Sequence, residues 1–224
     1  MTTDVQAKLD KLVRRQERNE RNAHARGLLQ GICAMLKPGD VVFDCGANVG
    51  AVTGPLSQTG ATIHAFEPDP YAFEKLQKKF GRTDNVTLHN AAVGVTSGTV
   101  RLMRATNFDD NPKAGSVKST IVAGAKQIDE SEGAGFEVEL ISLPDFIRKT
   151  LSSNDEIAFL KMDVEGAELE LLEEMNAQDL FENVRLTVAE THEHKFPDLV
   201  ERFGEMREQI EQKYPQSKVN LDWI

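Results

Sequence analysis

An acidic residue followed at once by a glycine-lined turn, VVFDCGANVG, has the composition of a ligand site. The apolar run stops at Asp44, and Gly46 and Gly50 then let the backbone bend tightly and let a ligand or the next helix approach closely. A dinucleotide-binding turn needs G-x-G-x-x-G to hold a pyrophosphate, whereas Asn48 stands here at the second glycine position. Because a carboxylate repels phosphate and attracts an ammonium, the turn favours a zwitterionic ligand without phosphate. A purely structural strand-to-helix turn is the alternative.

A second carboxylate, Glu67, comes directly after the next apolar run, TIHAF. At this position of a parallel sheet a carboxylate can accept both hydroxyls of a ribose. Alternatively, Glu67 is only a negative charge near the start of a helix, because Asp69 and Pro70 already have the residue types of a helix cap and first turn. A ribose joined to an amino-acid arm, with its ammonium near Asp44 and its carboxylate on the amides of the following helix, describes S-adenosylmethionine.

Two later strand ends carry residues that we predict to act on a methyl acceptor. Asp163 follows LKM, and Glu190 and His192 follow the apolar segment after it. Methyl transfer to a hydroxyl needs alignment of donor and acceptor and removal of a proton, for which histidine has a suitable pKa. We therefore predict His192 as the base and Asp163 as its orienting partner, with the exchanged roles left open.

The same three residues, Asp163, Glu190 and His192, are also a possible set of ligands for Mg²⁺ or Mn²⁺. Clustered carboxylates occur at many strand ends without a metal, and the sequence has no tight ligand motif such as H-x-x-x-H. We therefore expect no metal, although a divalent ion stays possible.

From residue 41 onward, short β-branched runs alternate with amphipathic helix patterns. This alternation predicts an α/β fold with a doubly wound, mostly parallel sheet and helices on both faces. The predicted strands are residues 41–45, 62–66, 86–90, 158–163 and 185–190, with an edge strand in KVNLDWI.

Two further strand patterns, residues 98–104 and 136–143, predict an inserted β-hairpin. They flank about 30 polar, Gly- and Ser-rich residues, which are either a functional lid or disordered. We assign residues 1–40 to an N-terminal helical extension and residues 41–224 to one domain with an insertion at about 98–143. The extension ends before Lys37 and could form a homodimer interface.

Composition excludes several classes of protein. The net charge of −10 over 224 residues disfavours nucleic acid as a partner. No apolar stretch is long enough for a membrane span, and the N-terminal residues lack the apolar centre of a secretory signal, so we expect a cytoplasmic protein. Cys33 and Cys45 have neither zinc-site spacing nor a disulfide framework, and we expect two core thiols.

Five motifs in register resemble the FkbM-type methyltransferases, a branch of the class I S-adenosylmethionine-dependent enzymes. They are DCGANVG, FEPDPYAF, HNAAVG, LKMDVEGAE and AETHEH, all between residues 41 and 194. The resemblance implies a Rossmann-like fold, S-adenosyl-L-methionine as cofactor, and O-methylation of a hydroxyl on a small molecule, sugar or glycan.

The resemblance also implies positions around the cofactor. The methionine end would contact Asp44, Gly46, Ala47, Asn48 and Gly50. The ribose would contact Glu67 and Pro68, and the adenine edge would contact Asn90 and Ala91, with Asp163 beside them. Two other functions stay open: an NAD-dependent oxidoreductase, which the acid at residue 44 disfavours, and a cofactor-binding scaffold that acts through the N-terminal helices.

Overall fold

Six strands form the main sheet of the computed structural model, which describes residues 2–131 and 134–223. Every neighbouring pair in this sheet is parallel. The strand order is β3-β2-β1-β7-β8-β9, made of Val86–His89, Thr62–Phe66, Val41–Cys45, Phe159–Met162, Thr187–Ala189 and Val219–Asn220. The order changes direction between β1 and β7, so a crevice opens at the carboxyl ends of these two strands. The predicted doubly wound α/β fold and its edge strand are confirmed.

A second, smaller sheet continues from the end of β3 after the single residue Asn90. It has the order β4-β6-β5, formed by Ala91–Gly94, Phe136–Ser142 and Gly98–Leu102. β5 and β6 are antiparallel, as expected for the predicted hairpin, and β4 pairs with β6 in parallel. The inserted hairpin is therefore part of a three-stranded sheet.

Helices cover both faces of the main sheet. Their bounds are α1 Thr2–Met35, α2 Thr53–Ser57, α3 Pro70–Phe80, α4 Pro112–Gly115, α5 Leu143–Leu151, α6 Glu168–Ala177 and α7 Val200–Lys213. Successive side chains of β1 point to opposite faces. Phe43 packs into a core with α5, α6 and α7, and Val42 into a core with α1, α2 and α3. Cys45 lies in the first core and Cys33 packs against the second.

The N-terminal residues form one helix of 34 residues where we expected more than one. Only its last part packs on the domain, through residues such as Ala25 and Ile32. Val5, Leu9 and Leu12 stay 51–65% exposed. In the part of the chain that the structure describes, none of the helices is both long and apolar enough to cross a membrane.

Residues 103–131, which we call the covering segment, pack over the carboxyl ends of the strands. Antiparallel bridges join Met103 to Thr120 and Ala105 to Ile128. Arg104 donates two hydrogen bonds to the Asp69 carboxylate, at 2.8 and 2.9 Å. The described residues of this region contact the domain, and their role as a functional lid stays a prediction; residues 132 and 133 lie outside the described range.

Candidate active site

A cavity of about 390 Å³ lies at the carboxyl ends of the main strands. Gly46, Glu67, Asp163 and His192, which follow β1, β2, β7 and β8, line it together with Ser119 and Ile121 of the covering segment. Its volume is that of an ordinary small-molecule pocket. The fold therefore brings the ends of four strands and the covering segment to one site.

The backbone of the turn after β1 is left-handed at Gly46, Asn48 and Gly50, for a different physical reason at each residue. Gly46 has φ 78°, and an added Cβ would lie 1.8 Å from the carbonyl oxygen of Asp163. Gly50 has φ 82°, and an added Cβ would lie 2.3 Å from the Phe80 ring on α3. Gly46 therefore permits contact with the end of β7, and Gly50 permits helix packing. Asn48, at φ 48°, donates its backbone N–H to Glu67 Oε2 at 2.8 Å.

Asp44 lies behind the cavity wall, which corrects the expected contact with a ligand ammonium. The residue is fully buried, and its Oδ2 accepts a hydrogen bond from Thr53 at 2.7 Å. Its Oδ1 faces the ammonium of Lys161 at 3.5 Å. Lys161 also donates to the Gly46 carbonyl at 2.7 Å and lies 3.2 Å from Asp163 Oδ2. The ammonium beside Asp44 is therefore supplied by the protein.

Lys161 is a site residue that the sequence reasoning missed. Burial lowers its pKa, but the charges of Asp163 and Asp44 outweigh this effect, so the pKa is raised overall. The sequence did contain a signal for a buried charge pair, because a lysine in the middle of an apolar strand segment is rarely buried without a charged partner. It did not show which carboxylate is that partner.

The expected contact between a ligand carboxylate and the amides of the next helix stays a prediction. α2 begins only at Thr53. The amide of Val49 donates to Asn48 Oδ1, and the amide of Gly50 donates to the Ala47 carbonyl. Ala47 itself is buried in the core. The turn amides are therefore already satisfied within the protein.

Glu67 lies in the cavity wall as predicted, with only 5% of its surface exposed. Its Oε1 accepts from the Asp69 amide and its Oε2 from the Asn48 amide, both at 2.8 Å. Two of the four lone-pair sites of a carboxylate are thereby used, which leaves two for a ligand. Burial raises the pKa of Glu67 to about 7, against the lowering effect of the two backbone hydrogen bonds.

Pro68 and Ala91 also line the cavity, whereas Asn90 does not belong to its wall. The Asn90 amide donates to the carbonyls of Glu67 and Pro68, at 2.8 and 3.2 Å. Asn90 therefore supports the loop that carries Glu67, instead of meeting an adenine edge directly.

His192 lies at the centre of a group of carboxylates, which we call the His192 cluster: Asp163, Glu165, Glu168, Glu190 and His192. The imidazole is 2% exposed, and its Nδ1 donates to Glu168 Oε1 at 2.8 Å. Its Nε2 lies 3.8 Å from Asp163 Oδ1, 3.6 Å from Glu165 Oε1 and 3.7 Å from Glu190 Oε1. The three predicted catalytic residues are thus brought together.

The protonation of this cluster differs from the prediction. Burial lowers the pKa of His192, but the hydrogen bond and charge of Glu168 and the charge of Glu165 raise it to about 9. At neutral pH the ring then holds both protons and has no free lone pair to act as a base. Burial, together with the charge of Asp163, raises the pKa of Glu190. These pKa shifts favour a carboxylate over His192 as proton acceptor.

Glu165 and Glu168 have larger roles than the sequence indicated. Glu168, the first residue of α6, is fully buried and fixes the imidazole of His192. Glu165 adopts a left-handed conformation, φ 57°, and pairs with Lys195. The ligand atoms of Asp163, Glu165 and His192 lie within 4.8 Å of one another.

Two curated proteins are similar to this chain over most of its length. The 31-O-demethyl-FK506 methyltransferase FkbM of Streptomyces tacrolimicus is 31% identical over 179 residues, which are 70% of this chain and 67% of that protein. The methyltransferase sdnD of Sordaria araneosa is 29% identical over 187 residues, 71% of this chain and 69% of that protein.

Solved structures give matches to smaller parts of the chain. They are a TYW2 of P. horikoshii in complex with MeSAdo (26% identity, TM-score 0.26), a putative rRNA-methylase from Clostridium thermocellum (24%, 0.27) and a TehB-like SAM-dependent methyltransferase from Corynebacterium glutamicum (23%, 0.24). The matches cover 27%, 30% and 33% of this chain and 25%, 39% and 41% of those chains. The likeness is thus confined to a part of each fold.

The doubly wound parallel sheet, with acids at the ends of β2, β7 and β8 around one cavity, defines a Rossmann-like α/β protein of the class I methyltransferase type. A model of the methyltransferase FkbM domain matches residues 44–214. The chain belongs to this family of methyltransferases. Membership favours methyl transfer over the nicotinamide-dependent oxidation that we had kept as an alternative.

Proposed function

We propose that this chain is an S-adenosylmethionine-dependent O-methyltransferase that acts on a hydroxyl of a small molecule, sugar or glycan. The observation that carries the proposal is that one cavity joins Glu67, suited to a ribose, to a cluster of carboxylates suited to a proton transfer. The name of one relative, a 31-O-demethyl-FK506 methyltransferase, supports oxygen as the acceptor atom.

The cavity wall fits the cofactor part by part. The two free lone-pair sites of Glu67 suit the ribose hydroxyls. The apolar side chains of Phe66, Leu102 and Ile121 offer a slot for a flat base. Asp163 and Glu190 face the cavity, with side chains 27% and 26% exposed, and would attract the positively charged arm. When bound, S-adenosylmethionine supplies a methyl group on a sulfonium, which is already a good leaving group.

Within the protein, Glu190 is the proposed acceptor of the hydroxyl proton. Its raised pKa brings it nearer to neutral pH, which suits a general base. His192 would hold the surrounding carboxylates in place and is a positioning residue in this scheme.

Calorimetry with S-adenosylhomocysteine and, separately, with NAD tests the cofactor. We expect binding of S-adenosylhomocysteine alone, because the turn lacks the spacing that a pyrophosphate needs. Absence of binding would remove the proposal. A mass-spectrometric screen of hydroxylated acceptors then separates an enzyme from the cofactor-binding scaffold, since a scaffold gives no methylated product.

A variant tests the base. Glu190→Gln should reduce kcat by about 10²–10⁴-fold, the usual contribution of a general base, while the affinity for S-adenosylhomocysteine changes little. Glu170→Gln is the matched control, because Glu170 is an exposed carboxylate on α6. Equal turnover in the two variants would exclude Glu190 as the base.

A homodimer through α1 is part of the proposal. Val5, Leu9 and Leu12 repeat at intervals of four and three residues, as in a coiled-coil seam, and they are exposed. We propose no nucleic-acid partner, and a cytoplasmic location remains our prediction.

A further inference from the structure

We propose that the His192 cluster is a binding site for a divalent cation, with Asp163, Glu165 and His192 as its ligands. The ion would be of the Mg²⁺ or Mn²⁺ kind and would bind beside the methyl acceptor. Binding of the ion can be measured whether or not the proposed function is correct. Only the role of the ion in catalysis rests on that function.

The distances in the cluster are compatible with a shared ion. Nε2 of His192 lies 3.8 Å from Asp163 Oδ1 and 3.6 Å from Glu165 Oε1, and the three ligand atoms lie within 4.8 Å of one another. Hydrogen bonds to a ring nitrogen are shorter, about 2.7–3.2 Å. Two ligands of one ion, each about 2.1 Å from it, lie roughly 3–4.2 Å apart. One ion would therefore bridge the three groups after small side-chain movements.

The other side of the imidazole gives an independent observation. Nδ1 is bonded to Glu168 Oε1 at 2.8 Å, and the same oxygen accepts the backbone N–H of His192 at 3.0 Å. Glu168 Oε2 accepts the Gly166 amide at 2.8 Å. A histidine that binds a metal usually donates its second N–H to a carboxylate, which fixes the ring. Here the ring is 98% buried and oriented on one side, and among the described residues no hydrogen bond reaches its Nε2, which faces the cavity.

The backbone conformation of Glu165 also supports an ion site. A non-glycine residue at φ 57° is uncommon, and such conformations collect at functional sites, where neighbours hold them. The Glu165 carbonyl accepts from the Thr120 hydroxyl at 2.6 Å, and Phe196 packs so closely on Gly166 that a Cβ there would lie 2.3 Å from its ring. These contacts keep the Glu165 carboxylate directed at His192.

The donor set indicates the kind of ion. Two carboxylates and one imidazole combine ligands that suit Mg²⁺ and Mn²⁺ with one that softer ions share. Lys195 pairs with Glu165 and Lys161 with Asp163, so the cluster is partly neutralised within the protein. A divalent cation would offset part of the negative charge that remains.

When bound, the ion would supply a positive charge that lowers the pKa of a hydroxyl beside it. Glu190 would accept the hydroxyl proton, which would then pass to solvent. The new O–CH₃ bond forms as the S–CH₃ bond breaks, and the electron pair of that bond stays on sulfur, which gives S-adenosylhomocysteine. Glu190 is the proton acceptor in this scheme and not a ligand.

The test is a titration of EDTA-treated full-length protein with Mn²⁺, followed by electron paramagnetic resonance of the free ion and by calorimetry. We expect one site in the wild type. Glu165→Gln and His192→Asn should each weaken Mn²⁺ binding at least about tenfold, and Glu168→Gln, which acts through the ring, by about 10–100-fold. Glu170→Gln, which removes an exposed charge from the same helix, should bind Mn²⁺ as the wild type does.

Outcomes separate the two proposals. Circular dichroism tests whether each variant is folded. If His192→Asn does not fold, Glu165→Gln is the variant that tests the ion site. Mn²⁺ binding that is absent, or unchanged in Glu165→Gln, overturns the ion site. S-adenosylhomocysteine binding in the same sample keeps the proposed function, whereas loss of both ligands removes both.

Discussion

At the scale of single residues, Lys161 has the widest influence on the site. Its ammonium compensates Asp44, which is fully buried, and it also contacts Asp163 and the Gly46 carbonyl. One side chain therefore holds the ends of β1 and β7 together. A buried charge that loses its only cationic partner is strongly destabilising.

Lys161→Met should lower the free energy of unfolding by about 3–5 kcal/mol, because Asp44 then stays buried without compensation. Denaturant unfolding measures the change. Lys78→Met is the control, since Lys78 is 72% exposed and pairs with Glu74, which is exposed as well; a change within about 0.5 kcal/mol is expected there. Similar losses in both variants would contradict the role of Lys161.

Glu67 predicts how cofactor affinity depends on pH. Burial raises its pKa to about 7, so the carboxyl is protonated below this pH and ionised above it. Only the ionised form can accept from two backbone amides and two ribose hydroxyls. The affinity for S-adenosylhomocysteine should therefore rise with pH by up to about tenfold per unit and level off above about pH 7. Calorimetry should show a flatter profile in Glu67→Gln, and an unchanged slope would exclude Glu67.

At the scale of elements, the covering segment is fastened to the domain through Asp69. This carboxylate is fully buried, receives both hydrogen bonds of Arg104, and accepts from the Ser119 hydroxyl at 3.1 Å. It also accepts the Tyr71 amide and so caps α3. The cap of one helix thus anchors the segment that covers the cavity.

Arg104→Lys should loosen the covering segment and leave the main sheet intact. Lysine keeps the charge but cannot form the paired hydrogen bonds of a guanidinium. Loss of one hydrogen bond to a charged group, about 1.5–3 kcal/mol, makes amide exchange in residues 103–131 faster by on the order of ten- to hundredfold. Hydrogen-exchange mass spectrometry measures this change. Arg148→Lys, an exposed residue of α5, should show no such effect.

The elements also show what the sequence could and could not predict. β1 and β2 match the predicted bounds residue by residue, because buried parallel strands read as short β-branched runs. β4, AAVG, was missed, since a small apolar run with a glycine has no clear strand pattern. α5 was missed because it begins directly at the end of β6, where Ser142 caps it. Local pattern therefore identified the main sheet and the inserted hairpin, but neither β4 nor α5.

The site was predictable to the extent that strand ends determine it. Glu67, Asp163, Glu190 and His192 all reach the cavity because the carboxyl ends of parallel strands share one edge. The partner of Asp44 was not predictable, because Lys161 lies on a strand far along the chain. The raised pKa of His192 likewise depends on Glu168, whose burial no local pattern reveals.

At the scale of the whole molecule, α1 extends beyond the domain. Its last turns pack in one core, whereas Val5, Leu9 and Leu12 are exposed. Deletion of residues 1–20 should convert the proposed dimer into a monomer without loss of unfolding free energy, because the buried part of α1 remains. Light scattering coupled to size exclusion measures the mass. A monomer in both forms would exclude this interface.

The contact between Gly46 and the carbonyl of Asp163 limits how such a chain can diversify. Any side chain at residue 46 would push the end of β7 outward, and Asp163 with it. A mutation at this contact would disturb both the binding of the methyl donor and the chemistry on the acceptor. The specificity for the donor and the specificity for the acceptor therefore cannot change independently there. We expect new acceptors to be accommodated through Ser116, Ser119 and their neighbours in the covering segment, which line the cavity from outside the sheet. Variation among descendants of this chain should therefore concentrate in residues 103–131.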